Sequence, residues 1–233
     1  AYVVDTTGTR IPLTGGDSVT VGPIRGGRLV SRRTARSEAD ARPVAFAGNH
    51  LVMKVDGSCC GGDNQEYVAA RFAVWDYVND AFTPRWTTAV AQVHGPVLGG
   101  ARLLGIVRQG SVDDQTGCLA LLRPEDLSVE SRRCDLGLSW GSGLGTLSPS
   151  GRYFFDYDLE SDGGALFTIA ADLDDVRRTE TDIPNQKPIW DDDTAVASVD
   201  GRSLVLWRVD EAPRSIPLFS DLQHLAKRPF VRD

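Results

Sequence analysis

CLALLRPEDLSVESRRC, residues 118–134, consists of an apolar run, a turn with one proline and two acidic residues, and a polar alternating run. Short runs of β-forming residues bounded by Gly, Pro, Asp or Asn indicate strands joined by tight turns. The same hairpin pattern occurs four more times, with turns centred near Thr7, Val78, Leu173 and Glu211. With the turn near residue 125 included, the turns from Val78 onward are about 47, 48 and 38 residues apart, in the range of one four-stranded repeat unit.

A second type of hairpin, with a tighter turn, alternates with the first. Its four copies are PVAFAGNHLVMKV (43–55), PVLGGARLLGIV (96–107), GTLSPSGRYFFDY (145–157) and PIWDDDTAVASV (188–199). Helical periodicity is nearly absent, which excludes a helical solenoid, and a radially repeated sheet protects its strand edges. The sequence therefore predicts an all-β protein, a single β-propeller domain over residues 1–233 with about five four-stranded antiparallel blades.

One turn motif resembles a known repeat family. Leu147-Ser148-Pro149-Ser150-Gly151-Arg152-Tyr153 is similar to the Trp-Ser-Pro-Asp-Gly-Arg element in the blades of WD40-like propellers of the TolB type, and Pro188 to Asp193 resembles a degenerate second copy. Pro, then Ser or Asp, then Gly forms a tight turn in which Gly supplies a positive φ. The resemblance implies the fold class and does not identify a function.

The ends of the chain and one insertion are the irregular parts of this pattern. We expect residues 1–13 and 222–232 to share the last blade and close the ring; a three-stranded closing blade and completion by another subunit are the alternatives. Residues 25–42 contain six Arg in eighteen positions. This polar insertion is interpreted as a solvated loop or ribbon, and a contact with an anion or acidic partner is the alternative.

Composition limits the partners and the compartment. The net charge of −7 and pI near 5.0 argue against a nucleic-acid partner, and no apolar stretch is long enough to span a membrane. The chain begins without Met or a signal peptide, so we expect a mature, exported, extracytoplasmic domain; a trimmed chain would look the same. Arg-rich basic residues, with abundant Ala and Gly, suggest a bacterial, GC-rich source.

The four cysteines are candidates for disulfide bonds. Cys118 and Cys134 lie on the two arms of one predicted hairpin and are placed to bridge it. Cys59 and Cys60 are adjacent in a Gly-rich stretch, where a vicinal disulfide and pairing with the other two both remain open. Buried or free thiols in a reducing compartment are the alternative for all four.

Metal and catalytic motifs are weak or missing. Asp158, Glu160 and Asp162 are spaced like the start of a calcium loop, but position twelve is Ile169 where a bidentate Glu is needed, so an acidic turn is favoured. No pair of histidines or cysteines has ligand spacing, and no nucleophile motif is present. We assign no catalytic residue, metal or cofactor.

The remaining candidates are aromatic and acidic residues near the inner hairpins. Trp140, Trp190 and Asp191 are predicted to lie on the axial face, where a monomeric, non-enzymatic binding or scaffold propeller would hold a protein or small ligand. The alternative is a carbohydrate-active hydrolase, which needs a carboxylate pair about 5 to 9.5 Å apart. Asp191, Asp156 and Glu66 are the candidates for that pair.

Overall fold

The structure, a computed structural model, describes a subset of the 233 residues. Within that subset every regular element is a β-strand, as the sequence predicts. The described ranges are 10–15, 18–25, 28–29, 33–36, 41–56, 69–82, 86–109, 116–139, 145–158, 163–169, 172–181, 189–198, 203–208 and 211–217.

In the described ranges, twenty strands form five sheets, numbered along the chain. The first sheet has β1 (Arg10–Gly15), β2 (Ser18–Arg25), β3 (Arg28–Leu29) and β4 (Arg33–Arg36). The second has β5 (Arg42–Ala47), β6 (His50–Val55), β7 (Arg71–Asp76) and β8 (Ala81–Phe82). The third has β9 (Val90–Pro96), β10 (Leu103–Arg108), β11 (Thr116–Leu122) and β12 (Val129–Ser139). The fourth has β13 (Thr146–Leu147), β14 (Tyr153–Asp158), β15 (Gly163–Thr168) and β16 (Arg177–Thr181). The fifth has β17 (Ile189–Asp191), β18 (Thr194–Ser198), β19 (Ser203–Trp207) and β20 (Arg214–Pro217).

The second to fifth sheets are simple meanders. In each of them every strand pairs antiparallel with the strand before it and the strand after it. The two predicted hairpin types therefore alternate as expected, because the tight turns join the first two strands of a sheet and the acidic or longer turns join the last two. The prediction of four-stranded antiparallel sheets is confirmed for these four.

The first sheet is irregular. β2 pairs with β1 along one edge and with both β3 and β4 along the other. The Arg-rich insertion thus contributes backbone pairing to this sheet, because a β-ladder uses main-chain groups whatever the charge of the side chains. The predicted turn near Thr7 and the predicted closing segment 222–232 lie outside the described residues, so closure of the ring stays a prediction.

The chain divides into two compact units. The first contains residues 1–143 and 169–175, and the second contains residues 144–168 and 176–233. The single domain expected from the sequence stays a prediction.

In the first unit the second sheet is buried on both faces. Leu51 and Met53 of β6 pack with Val19 and Val21 of the first sheet. Val52, between them, packs in a separate cluster with residues of the third sheet. Successive side chains of a strand point to opposite faces, so a strand between two sheets has to be apolar at consecutive positions. This explains the uninterrupted apolar runs in the sequence.

The first strands of successive sheets lie next to one another in this unit. β1 contacts β5, and β5 contacts β9. In radially repeated sheets the innermost strands have this relation. The second unit has a smaller core of the same kind, in which Phe155 and Leu166 of the fourth sheet pack with Ala195 and Trp207 of the fifth.

The predicted disulfide between Cys118 and Cys134 is confirmed. Cys118 is fully buried on β11, and its Cα lies 4.1 Å from that of Cys134 on β12. The pairing of β11 with β12 is interrupted there, between Gly117 and Leu119, so the bond joins two strands where the backbone ladder is irregular. Cys59 and Cys60 lie outside the described residues. The described part of the chain also contains no helix long and apolar enough to cross a membrane.

Replacing both Cys118 and Cys134 by Ala is expected to lower the free energy of unfolding by about 3 kcal/mol, the typical value for a bond that closes a loop of this length. Urea denaturation of the oxidised protein, the reduced protein and the double variant measures the difference. The reduced wild type is the matched control and should lose as much stability as the variant. Equal stability of the oxidised protein and the double variant would contradict the prediction.

Candidate functional site

The turn between β17 and β18 presents the acidic residues that the sequence analysis selected. Asp191 and Asp192 are exposed, and Asp193 is half-buried. Asp192 has a φ of 52°, in the left-handed region that Asp tolerates better than most residues. The turn therefore holds two carboxylates in water and directs the third toward the protein.

The turn between β13 and β14 carries the Ser-Pro-Ser-Gly motif and is tied by its own hydroxyls. The buried Ser148 accepts a hydrogen bond from the backbone N–H of Tyr153 at 3.1 Å, and Ser150 accepts one from that of Arg152 at 3.2 Å. Gly151, with a φ of 73°, donates its N–H to the carbonyl of Ser148 at 2.9 Å. The expected role of Gly in this turn is thus confirmed.

Two hydrogen bonds join these hairpins of the fourth and fifth sheets. The Ser150 hydroxyl donates to the Asp193 carboxylate, and the indole N–H of Trp190 donates to Thr146 Oγ1 at 3.2 Å. The partners are 43 and 44 residues apart, about one repeat. We call this part of the second unit, residues 146–151 and 190–193, the hairpin edge.

Trp190 is half-buried and packs on the core of the second unit. Its hydrogen bond to Thr146 fixes the position of the ring. Trp190 and Asp191 are consecutive residues of β17, so their side chains point to opposite faces of the fifth sheet, and their role as ligand residues stays a prediction. Trp140, the third predicted ligand residue, lies outside the described residues.

The structure describes only some of the residues that the sequence analysis considered for a catalytic carboxylate pair and a calcium site. Asp156 is buried on β14, whereas Asp191 is exposed on β17. Asp158 ends β14, and Glu66, Glu160 and Asp162 lie outside the described residues. Among the residues that the structure does describe, no three His, Cys, Asp or Glu side chains are grouped to hold a metal ion.

The sequence analysis missed the links that hold the hairpin edge. Thr146 and Ser150 were not predicted as hydrogen-bond partners of Trp190 and Asp193, because a single Thr or Ser in a sequence does not indicate what its hydroxyl will bind. Their spacing of one repeat was a usable signal, since equivalent hairpins of successive blades are expected to be neighbours.

In the first unit, another turn is fixed by an acidic residue. Asp76 accepts hydrogen bonds from the backbone N–H groups of Val78 at 3.0 Å and Asn79 at 3.1 Å, and the Asn79 amide donates to it at 2.6 Å. These bonds, led by the Asn79 N–H, hold the pKa of Asp76 below its usual value against the opposing effect of burial. Tyr77 adds a hydrogen bond from its hydroxyl to the carbonyl of Gly48 at 3.0 Å.

Comparisons with known proteins identify the fold. No family model matches the chain, and no curated protein matches it significantly. Many solved structures do match. TolB from Acinetobacter baumannii has a TM-score of 0.54 at 13% identity, covering 94% of this chain and 54% of its own. The fold is propeller-like.

Two further solved structures match this chain about as well as TolB does. The β-propeller domain of Myceliophteria thermophila Cps50 (Swd1) has a TM-score of 0.52 at 14% identity, covering 93% of this chain and 71% of its own. Dihydro-heme d1 dehydrogenase NirN has a TM-score of 0.52 at 15% identity, covering 94% and 44%. The predicted resemblance to WD40 and TolB propellers is confirmed at the level of the fold. This propeller-like chain spans about half the length of the TolB and NirN chains.

Ser150→Ala is expected to destabilise the propeller-like protein by about 1.5 kcal/mol, because it removes the hydroxyl that donates to the Asp193 carboxylate. Chemical denaturation measures the loss. Asp191→Ala, at an exposed position of the neighbouring turn, is the control and should stay within about 0.5 kcal/mol of wild type. Equal effects of the two substitutions would show that the link between the hairpins contributes nothing.

Asp76→Asn is expected to reduce the loss of stability at acidic pH. The folded-state pKa of Asp76 is lowered, so its stabilising effect is complete above the unfolded-state pKa of about 3.9 and is lost as the pH falls through the folded-state value. The free energy of unfolding, measured by urea titration at pH 6 and pH 3, should therefore differ less in the variant than in wild type. An unchanged difference refutes the assignment.

Proposed function

We propose that this protein is a non-enzymatic binding or scaffold module in which each of the five sheets is one blade. In this proposal the hairpin edge holds a small ligand or a segment of another protein. The observation that carries the proposal is the pair of exposed carboxylates, Asp191 and Asp192, on a turn that Trp190 and Asp193 hold to the neighbouring hairpin.

The chemistry of this edge suits recognition. Carboxylates accept strong hydrogen bonds from cationic groups and from hydroxyls, and an aromatic ring stacks on cations or on flat apolar surfaces. Trp190 is held by Thr146 and the turn is held through Asp193, so little conformational freedom is lost on binding. Such preorganisation raises affinity.

The Cys118–Cys134 disulfide supports the proposal that the protein is exported. Disulfides persist in oxidising compartments and are rare in reducing ones. Thiol labelling of the protein, isolated and then denatured without reductant, should leave Cys118 and Cys134 unmodified if the protein matures outside the cytoplasm.

A carbohydrate hydrolase is the second candidate function. One observation favours it, the burial of Asp156, because a carboxyl group in a secluded environment suits a general acid. In that case Asp156→Asn should abolish hydrolysis of a chromogenic glycoside that the wild type cleaves.

The binding proposal is tested on glycan and basic-peptide arrays, followed by titration of the best probe. Asp191→Asn combined with Asp192→Asn is expected to weaken binding at least tenfold, since charge-assisted hydrogen bonds contribute about 1.5 to 3 kcal/mol each. Glu125→Gln, an exposed acidic residue of the first unit, is the matched control and should bind as wild type does. Unchanged affinity in the double variant, or turnover of a bound glycan, contradicts the proposal.

A further inference from the structure

The pairing of β12 with β11 is interrupted by a bulge. The ladder is regular up to the pair of Leu119 with Arg133, and it resumes where Gly117 pairs with Leu138. Residues 134–137 of β12 therefore lie opposite one residue of β11. A bulge of this kind bends the strand and disrupts the ladder locally, so we expect β12 to open most easily here.

The disulfide bond lies at the first residue of this bulge. Cys134 is half-buried, and its partner Cys118 is fully buried in the apolar core of the first unit. Strands open locally from their ends, and opening that begins at the C-terminal end of β12 cannot pass Cys134 while the bond is intact. The bond therefore protects residues 129–133 from opening that starts in the bulge or at the end of the strand.

Two side chains in the protected part of β12 hold the turn between β15 and β16. Arg133 donates from Nη1 to the carbonyl of Asp174 at 3.0 Å, and the Ser131 hydroxyl donates to the carbonyl of Asp172 at 3.4 Å. Leu173 is buried, whereas the two acidic residues beside it are exposed. This turn and β12 both belong to the first unit. Opening of β12 as far as Ser131 breaks both hydrogen bonds to the turn.

Arg133 is oriented by the first residue after the disulfide. Its Nε and Nη2 donate to the two carboxylate oxygens of Asp135 at 2.9 and 3.3 Å. A bidentate ion pair fixes the plane of the guanidinium, and Cys134 lies between the two residues in the chain. The disulfide therefore fixes the backbone from which both members of the ion pair project.

We propose that the Cys118–Cys134 bond is a redox-sensitive latch on the turn at residues 172–175. While the bond is intact, Ser131 and Arg133 stay on the turn. After reduction, opening of β12 reaches these two residues, and the turn is released with its buried leucine. The latch does not depend on the ligand proposed for the hairpin edge.

The reductant that opens the latch is a dithiol. One of its thiolates attacks the Sγ of Cys134, the more accessible of the two sulfurs, and the Sγ of Cys118 leaves as a thiolate and takes up a proton. The second thiol of the reductant then displaces Cys134 from the mixed disulfide. Two electrons and two protons pass to the protein, and the dithiol becomes a disulfide.

Hydrogen exchange of the full chain, measured by mass spectrometry before and after treatment with dithiothreitol, tests the proposal. Alkylation and mass measurement count the thiols that are formed. Peptides covering residues 129–139 and 172–175 are expected to exchange about tenfold faster in the reduced protein, because local opening now includes them.

The dependence of exchange on urea separates local release from a loss of global stability. A local opening exposes little surface, so exchange in the two segments of the reduced protein should change little at urea concentrations below the unfolding transition. Exchange in β6, residues 50–55, requires global unfolding and should rise steeply with urea.

A variant without the bond is the first control. Cys118→Ala combined with Cys134→Ala should exchange as the reduced wild type does, with and without dithiothreitol. Cys59 and Cys60 remain in this variant, so a release of the turn that still responds to the reductant would assign the response to them and overturn the proposal.

Arg133→Gln tests the contact between β12 and the turn. In the oxidised protein this variant should speed exchange in residues 172–175 and leave residues 134–139 protected by the disulfide. Arg132→Gln is the matched control, because it removes the same charge from the exposed residue next to it, and it should exchange as wild type does.

Three further results overturn the proposal. A bond that dithiothreitol does not reduce in the native protein is no latch. Equal urea dependence of exchange in β6, β12 and the turn of the reduced protein means that the bond contributes to global stability alone. Equal exchange of the turn in Arg133→Gln and Arg132→Gln shows that Arg133 does not hold it. None of these results bears on ligand binding at the hairpin edge, so the two proposals fail separately.

Discussion

The packing of apolar sheet faces against one another holds each unit together, and most other features follow from it. β6 shows the constraint most directly, since Leu51 and Met53 are buried toward one neighbouring sheet and Val52 toward the other. Burial of side chains of this size contributes about 1.5 to 3 kcal/mol each. A four-stranded sheet of this kind is thus stable only with a neighbour on its apolar faces.

Turns and cross-links position the hairpin edge on this framework. Each turn is fixed by a local device: the serine hydroxyls in the Ser-Pro-Ser-Gly turn, and the Asp76 carboxylate in the turn that follows β7. The two hairpins of the second unit are then joined to each other through Ser150 and Asp193. Asp191 and Asp192 are exposed, and their hairpin is held in place by the hydrogen bonds of the neighbouring residues Trp190 and Asp193.

Much of the fold was predictable because it is encoded locally. Alternating β-formers with Gly, Pro and Asp at the turns predicted the strands of the four regular sheets, and the position of Cys118 and Cys134 on one hairpin predicted their bond. The first sheet was harder, because its Arg-rich strand pairs through the backbone and lacks an apolar alternation. The candidate site stays a prediction, in which Trp190 and Asp191 were selected from the sequence and the residues that hold their hairpin, Thr146 and Ser150, were not.

By itself, the sequence determined the strand class, the turn chemistry and the cysteine pair, because each depends on residues within one hairpin. Only the tertiary structure decided which faces are covered and which polar groups are buried. Trp190 donates a hydrogen bond to Thr146, 44 residues away in sequence, and Ser150 donates one to Asp193, 43 residues away. The burial of Asp156 and the exposure of Ile189 likewise depend on which sheets become neighbours. Contacts between sheets depend on shape and distance in the folded chain, and no local pattern of residues carries that information.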